Sequence, residues 1–339
     1  MDLDALNAIA KKMVAPGKGI LAADESGGTI KKRFDNIGVE NTEENRRDYR
    51  EFLFRTDVAM KNHIGGVILF DETIRQKAKD GSTLVSIIEA AGAVPGIKVD
   101  AGAKPMALAP GETITEGLDG LRERFVAYHK LGARFAKWRA VIDIAAGIPT
   151  YNGILANAQA LARYAALAQE NGIVPIVEPE VLMDGDHDIQ RCEDVTEWVL
   201  SEVFEQLFVA GVALEGMILK PNMIVPGVKC AKQASVAEVA ERTVKVLKRH
   251  TPAAVPGVAF LSGGQSDIDA TAHLDAMNKI GGLPWALTFS YGRALQAAPQ
   301  KAWSGKAENV AAGQKAFAHR ARMNSLAALG KWSKSDEAA

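Results

Sequence analysis

Short apolar runs alternate with longer helix-like segments along the chain. A run of this kind, bounded by polar or turn-forming residues, predicts a buried strand, and a repeated strand-helix-strand order predicts a parallel sheet. The eight runs are Gly19–Asp24, Ile64–Phe70, Gly96–Asp100, Arg134–Arg139, Ile173–Pro179, Met217–Lys220, Val258–Ser262 and Trp285–Ser290.

The segments between these runs have helical patterns and end at residues that stop helices. Gly172 follows the helical segment Thr150–Asn171, and Pro252 lies just beyond Val236–His250. Further helices are predicted at Val195–Val209, at Leu3–Met13 before the first run and at Glu308–Leu329 after the last.

Eight strand-helix units predict an α/β fold that closes into a single (β/α)8 barrel, a TIM barrel with extra N- and C-terminal helices. The alternative is a doubly wound open sheet, but no Gly-x-Gly-x-x-Gly motif follows an early strand to support it. Because no linker divides the chain, we expect one domain over residues 1–330 and a flexible C-terminal tail over residues 331–339.

Almost every apolar run ends in a polar or charged residue that a core does not need. In a parallel barrel these ends meet at one mouth, where active sites lie, so the joint pattern predicts a catalytic mouth. The residues are Asp24, Asp71, Lys98, Lys137, Glu178, Lys220, Ser262 and Ser290.

Lys220 is the candidate nucleophile. It follows the apolar residues Met217–Leu219, and Pro221 cannot continue a sheet ladder, so the amine is placed at the carboxyl end of its strand. A buried amine tends to lose its charge, and a neutral amine can condense with a carbonyl. The alternative is an ordinary lysine whose amine reaches water at a strand end.

The other charged strand ends suit the chemistry of an imine. A second amine, above all Lys137, would repel a proton from Lys220, while Asp24 and Glu178 could serve as acid and base. Glu180 is expected to help hold the lysines. The alternative is that these carboxylates only neutralise structural lysines.

Two glycine-containing loops predict a phosphate site. Ser262-Gly263-Gly264 follows the seventh run, and Ser290 and Arg293 flank Tyr-Gly after the eighth. Backbone N–H groups and a guanidinium at this position of a barrel are typical of phosphate binding. Lys31-Lys-Arg33 together with Lys98 could hold a second phosphate.

Composition narrows the class of protein. The 339 residues are 47% hydrophobic and 24% charged with a formal net charge of -1, which gives no general attraction to nucleic acid or to a membrane. The six histidines have no metal-ligand spacing, and we expect neither a metal nor another cofactor. With two cysteines and no signal-peptide pattern, we expect the protein in the cytoplasm.

Seven motifs together resemble class I fructose-bisphosphate aldolase, from about Gly17 to Leu329. They are Leu21–Ser26, Gly96–Asp100, Ala136–Arg139, Ile173–Glu180, Leu219–Asn222, Phe260–Ser266 and Trp285–Gln296. The resemblance implies reversible cleavage of fructose 1,6-bisphosphate to dihydroxyacetone phosphate and glyceraldehyde 3-phosphate, in glycolysis and gluconeogenesis. It also implies a Schiff-base (imine) mechanism without a metal and a homotetramer.

The resemblance also implies roles for individual residues. Lys220 would form the Schiff base, Glu178 would be the main acid and base, and Asp24 would take the hydroxyl proton. Lys137 would polarise the substrate, with Glu180 and Lys98 completing the charged mouth. The implied substrate-binding residues are Ser262, Gly263, Gly264, Ser290 and Arg293 for the ketone-side phosphate, Arg33, Ser26 and Thr29 nearer the other phosphate, and Arg139 and Arg46.

The C-terminus departs from the pattern of the animal enzymes, which end in a tyrosine that assists proton exchange. No tyrosine follows Tyr291 here, so we expect no tail-assisted protonation. Two other classes stay open at this point. One is a different imine-forming barrel, such as a transaldolase-like or dehydratase-like enzyme, and the other is a binding or scaffold protein.

Overall fold

The computed structural model describes residues 1–338 and confirms the predicted (β/α)8 barrel. Eight parallel strands close on one another in the order β1-β10-β9-β8-β7-β6-β3-β2. The barrel strands are β1 (Gly19–Ala23), β2 (Ile64–Leu69), β3 (Val94–Lys98), β6 (Phe135–Ile142), β7 (Val174–Val181), β8 (Ile218–Leu219), β9 (Gly257–Phe260) and β10 (Ala286–Tyr291).

A short antiparallel hairpin, β4 (Ala103–Pro105) and β5 (Thr113–Thr115), interrupts the repeat between β3 and β6. The apolar-run pattern did not predict it, because three-residue strands whose side chains are mostly exposed or half-buried lack an apolar signature. Arg124 fixes the hairpin connection by donating to the carbonyls of Val99 and Gly117.

The helices pack around the barrel and include the predicted opening and closing ones. Those at Leu3–Met13 and Val236–His250 have the predicted bounds, whereas the helix predicted from Val195 begins earlier, after its N-cap Asp188. The helices are α1 (Leu3–Met13), α2 (Gly27–Asp35), α3 (Glu43–Phe54), α4 (Asp57–His63), α5 (Asp71–Arg75), α6 (Leu84–Ala90), α7 (Leu121–Lys130), α8 (Tyr151–Glu170), α9 (Ile189–Val209), α10 (Val236–His250), α11 (Asp267–Ile280), α12 (Arg293–Trp303) and α13 (Val310–Ala328), with short 3-10 turns at Leu214–Gly216, Ala307–Asn309 and Lys334–Ala338. Within residues 1–338, none of these helices combines the length and apolar character needed to cross a membrane.

Helix α1 closes the amino end of the barrel. Leu6, Ala10 and Met13 belong to one buried apolar cluster with the inward side chains of several strands, among them Phe135 and Val174. A Cβ at Gly65, at the start of β2, would overlap the Met13 carbonyl, so the close approach of α1 requires glycine there.

The C-terminal residues pack against the closing helix. Trp332 is buried, and Glu337 accepts from Arg320 on α13 at 2.5 Å. The expected flexibility of residues 331–339 stays a prediction, and Ala339 lies outside the described residues.

Candidate active site

The inward-facing positions of the strands change from apolar to charged toward their carboxyl ends. On β6 the sequence of inward residues is Phe135, Lys137 and Arg139; side chains two apart on a strand share a face, so all three point into the barrel. The same period puts Glu178 and Glu180 beyond Ile176 on β7. Period-two alternation therefore brings the charged groups to one end.

A cavity of about 800 Å³ lies at this end of the barrel. All but two of the predicted site residues line it. They are Asp24, Ser26, Thr29, Arg33, Lys98, Lys137, Arg139, Glu178, Glu180, Lys220, Ser262, Gly263, Ser290 and Arg293.

A chain of ion pairs runs across the floor of the cavity. Lys220 Nζ lies 3.1 Å from Glu178 Oε1, and Glu178 Oε2 lies 3.5 Å from Lys137 Nζ, which is 2.8 Å from Asp24 Oδ2. Residues 178 and 220 come together because Val177 pairs with Leu219, which sets β7 and β8 in register. The side chains of Lys220, Glu178 and Lys137 are each at most 5% exposed.

Burial and neighbouring charge act in opposite directions on this chain. Burial would raise the pKa of Asp24, but the positive charges of Lys137, Lys220 and Lys98 outweigh it and lower the pKa to about 2. Burial would also lower the pKa of Lys137, but Asp24, Glu178 and Asp100 raise it well above its usual range. Near neutral pH, Asp24 is therefore a carboxylate and Lys137 an ammonium.

The second glutamate of β7 has a different partner from the one expected. Glu180 forms an ion pair with Arg139 and not with a lysine. Burial lowers the pKa of Arg139, but Glu180, together with Glu178 and Asp100, more than compensates, so the pKa is raised. Glu180 therefore fixes a guanidinium at the cavity wall.

The loops after β9 and β10 present groups of the kind that bind anions. Gly263 and Gly264 have left-handed backbone conformations, with φ of 48° and 91°, that favour glycine. The Ser290 hydroxyl is buried in the cavity wall and has no hydrogen-bond partner among residues 1–338. Arg293 begins α12, whose N-terminal N–H groups favour an anion.

Comparisons with known proteins agree with this geometry. The family model described as fructose-bisphosphate aldolase class-I matches residues 5–339. A probable fructose-bisphosphate aldolase class 1 of Xanthomonas campestris is 57% identical over 98% of this chain and 99% of its own length. Fructose-bisphosphate aldolase C of Rattus norvegicus is 55% identical over 96% of this chain and 90% of its own length.

The chain belongs to the class I fructose-bisphosphate aldolase family. A solved fructose-bisphosphate aldolase of Plasmodium falciparum superposes with a TM-score of 0.96 at 50% identity, covering 98% of this chain and 96% of the other. The enzyme is an aldehyde-lyase that cleaves fructose 1,6-bisphosphate in glycolysis through the Schiff-base mechanism of its class. The family match decides against the transaldolase-like and scaffold alternatives.

Two predicted binding residues do not line the cavity of the aldolase. Arg46 donates to both carboxylate oxygens of Glu72, at 2.8 and 2.6 Å, and to Asn41. Gly264 follows the lining residue Gly263 but does not itself line the cavity. A Cβ built at Gly264 would lie 3.8 Å from Arg293 Nη2. Asp71, a polar strand end, also lies outside and binds Tyr128 and Arg75.

Arg33 and Lys98 are placed differently from each other. The guanidinium of Arg33 lies beside the loop after β10, because a Cβ built at Gly292 would be 3.5 Å from Arg33 Nη2. Lys98 Nζ is turned back onto Asp100 at 2.6 Å. Ser26 and Thr29 share a hydrogen bond of 3.2 Å at the start of α2.

Three charged residues at this end of the barrel were not predicted from the sequence. Asp100 and Glu25 line the cavity and are buried, and Glu25 forms ion pairs with Arg33 and with Arg50. Glu25 and Asp100 each stand one or two residues beyond a selected strand end, which was a usable signal. Arg50 is fully buried within α3, and nothing in a charged helical segment indicates that.

Proposed function

We propose that Lys220 is the nucleophile of the cleavage reaction and that Glu178 moves the protons around it. The supporting observation is that Glu178 lies between two amines, with one oxygen 3.1 Å from Lys220 Nζ and the other 3.5 Å from Lys137 Nζ. A carboxylate in this position can accept the proton of the attacking amine and return it to a leaving hydroxyl.

Imine formation begins when the neutral amine of Lys220 adds to the ketone carbon of fructose 1,6-bisphosphate. The carbinolamine then loses its hydroxyl as water, taking a proton from Glu178, and a protonated imine remains. Since the imine is an electron sink, the adjacent carbon–carbon bond can break with its electron pair drawn toward nitrogen.

Asp24 takes the hydroxyl proton as that bond breaks. It is ionised near neutral pH, and its contact with Lys137 holds it at the cavity floor. Glyceraldehyde 3-phosphate leaves, and an enamine remains on Lys220. The enamine carbon then takes up one proton, which balances the one that Asp24 accepted, and hydrolysis of the imine by water releases dihydroxyacetone phosphate.

Lys137 acts as a fixed positive charge in these steps. Its ammonium lies between Asp24 and Glu178, where it stabilises negative charge that develops on substrate oxygens. Glu180 positions Arg139 at the wall for substrate binding.

The two phosphates have separate candidate sites. Ser262, Gly263, Gly264, Ser290 and Arg293 would hold the ketone-side phosphate through hydroxyls, backbone N–H groups and a guanidinium. Ser26, Thr29, Arg33 and Lys98 would serve the other phosphate, with Arg33 able to reach the first site as well. A role for Arg46 requires that it leave Glu72.

Borohydride trapping tests these roles directly. Wild-type enzyme is incubated with dihydroxyacetone phosphate and a chelator, reduced, digested and mapped by mass spectrometry. We expect a stable adduct on Lys220. The absence of an adduct from folded enzyme with intact substrate would remove Lys220 from the reaction.

Lys220→Met and Lys137→Met provide the matched controls, because both lose a buried amine of the same ion-pair chain. We expect Lys220→Met to give no adduct and to lose at least about 10⁴-fold in kcat/KM. We expect Lys137→Met to keep the trappable lysine and to cleave slowly. An adduct in Lys220→Met would assign the imine to another lysine.

We also propose that the enzyme is a homotetramer of the cytoplasm. Support comes from the family resemblance, from its glycolytic role and from apolar side chains exposed on α8 and α9. Tyr151 stacks on Trp198 with ring centroids 6.3 Å apart, and Phe208 and Val209 are 79% and 68% exposed. Sedimentation equilibrium checks the assembly, and a monomer at micromolar concentration would contradict it.

A further inference from the structure

Asp100 is a buried carboxylate at the mouth of the barrel that has no part in the steps above. It lies two residues beyond the end of β3, and its side chain is 3% exposed. Its Oδ1 accepts from Lys98 Nζ at 2.6 Å and from the Gly102 N–H at 3.1 Å. Lys98 also donates to the Asp100 carbonyl at 2.7 Å. Asp100 Oδ1 and the Asp100 carbonyl therefore hold the Lys98 amine close to the end of β3.

The other oxygen of Asp100 faces β6. Oδ2 accepts from the Arg139 N–H at 3.3 Å and lies 3.9 Å from Lys137 Nζ. The two lysines are close because Lys98 and Lys137 are cross-strand partners in the β3–β6 ladder. The Asp100 carboxylate thus lies between two amines, that of Lys98 at the rim of the cavity and that of Lys137 in the ion-pair chain.

The charge of Asp100, and not only its hydrogen bonding, suits this position. A buried carboxylate is costly unless cations compensate it, whereas the two backbone N–H groups could be bound by a neutral acceptor. The cations that face it are Lys98, Lys137 and Arg139. On the side of α8, the neighbouring titratable group is Tyr164, whose pKa is raised by burial and then by Asp100.

We propose that Asp100 is a positioning residue of the aldol reaction, which directs the Lys137 ammonium between Asp24 and Glu178 and holds Lys98 until a substrate phosphate competes for it. The proposal rests on the proposed roles of Lys137 and Lys98. Without Asp100, Lys137 has one carboxylate fewer to fix its direction, and Lys98 is free to bind phosphate. The misdirected Lys137 lowers kcat, whereas the freed Lys98 acts on KM.

Two variants test the proposal. Asp100→Asn keeps the size of the side chain but places an NH2 group opposite a backbone N–H, so Asp100→Ser is made as well, since its hydroxyl can accept from either one. Both remove the charge. The matched control is Asp275→Asn, a buried aspartate that also binds one lysine, Lys279 at 2.6 Å, and one backbone N–H, that of Trp332 at 2.9 Å, away from the cavity.

We expect both Asp100 variants to lower kcat by about 10- to 100-fold while KM for fructose 1,6-bisphosphate stays equal or falls. This split between kcat and KM distinguishes lost positioning of Lys137 from lost substrate binding. Borohydride should still trap Lys220, which Asp100 does not contact. Asp275→Asn should keep the wild-type KM and kcat per folded molecule.

A kcat within twofold of wild type in either folded variant would overturn the proposal. A raised KM at unchanged kcat, or failure of both variants to fold, would reduce Asp100 to a binding or structural residue. These results differ from failure of the proposed function itself, which would appear in wild-type enzyme as the absence of the Lys220 adduct.

Discussion

The two ends of the barrel bury side chains of opposite chemical character, apolar at the amino end and charged at the carboxyl end. At the amino end, α1 covers the strands with Leu6, Ala10 and Met13, and the interior is apolar. At the carboxyl end, Lys137, Glu178 and Lys220 are buried almost as completely. The same strands supply both ends, so the contrast arises within a few residues of each strand.

The contrast separates the residues that stabilise the fold from those that serve the reaction. Each large apolar side chain buried at the amino end contributes roughly 1.5 to 3 kcal/mol. The charges at the carboxyl end must be paired to offset the loss of hydration, and such pairs are weak evidence of net stabilisation. The mouth therefore holds groups whose burial only the chemistry explains.

After the loss of Lys220, the largest expected effect on turnover concerns Glu178. Glu178→Gln keeps the shape of the side chain but cannot shuttle protons, so we expect imine formation to persist while kcat falls by about 10²- to 10⁴-fold. Borohydride trapping and steady-state cleavage are measured on the same sample. An unchanged rate would remove Glu178 from its role.

Asp24→Asn tests the mouth through stability as well as turnover. The pKa of Asp24 in the folded enzyme, about 2, lies below the usual aspartate value of 3.8, so the ionised form stabilises the fold by about 2 kcal/mol above pH 3.8. That contribution is lost as the pH falls from about 3.8 toward 2.

We therefore expect Asp24→Asn to be less stable than wild type at pH 7 and the difference to shrink at low pH. Urea unfolding at a series of pH values measures it, and kcat should fall by about 100-fold. A stability difference that is independent of pH would contradict the assigned ionisation of Asp24.

Removing the C-terminal residues tests whether a partly buried ion pair outside the mouth matters for turnover. Truncation after Leu329 removes Trp332 and the Glu337 partner of Arg320. We expect a loss of about 2 to 5 kcal/mol in stability and only a severalfold loss in kcat. Glu337→Gln is the narrower control. A loss of several orders of magnitude in kcat would assign these residues to the reaction.

The smallest expected effect on turnover comes from the amino end. Leu6→Ala opens a cavity under α1, where the side chain is 1% exposed, and should lower the free energy of unfolding by about 2 to 5 kcal/mol. The kcat per folded molecule should stay at the wild-type value, with active sites counted by trapping. A fall in kcat would show that the two ends are coupled.

Much of the site was predictable because period-two alternation and strand ends are local features. Lys220 before Pro221, and Glu178 after Val177, need only a strand assignment to be placed at the mouth. The strand boundaries were predicted less accurately. Strand β6 continues to Ile142, beyond the predicted end at Arg139, and β8 comprises only Ile218 and Leu219. Pairing with a neighbouring strand sets these limits, and a single segment does not contain that information.

The sequence by itself determined the barrel, the parallel direction of its strands and most of the charged groups at its mouth. Only the tertiary structure decided how those charges pair. It places Glu180 with Arg139, turns Lys98 onto Asp100 and keeps Arg46 on Glu72 outside the cavity. The physical reason is that an apolar pattern depends on neighbours along the chain, whereas the partner of a charge depends on distances across strands that are far apart in sequence.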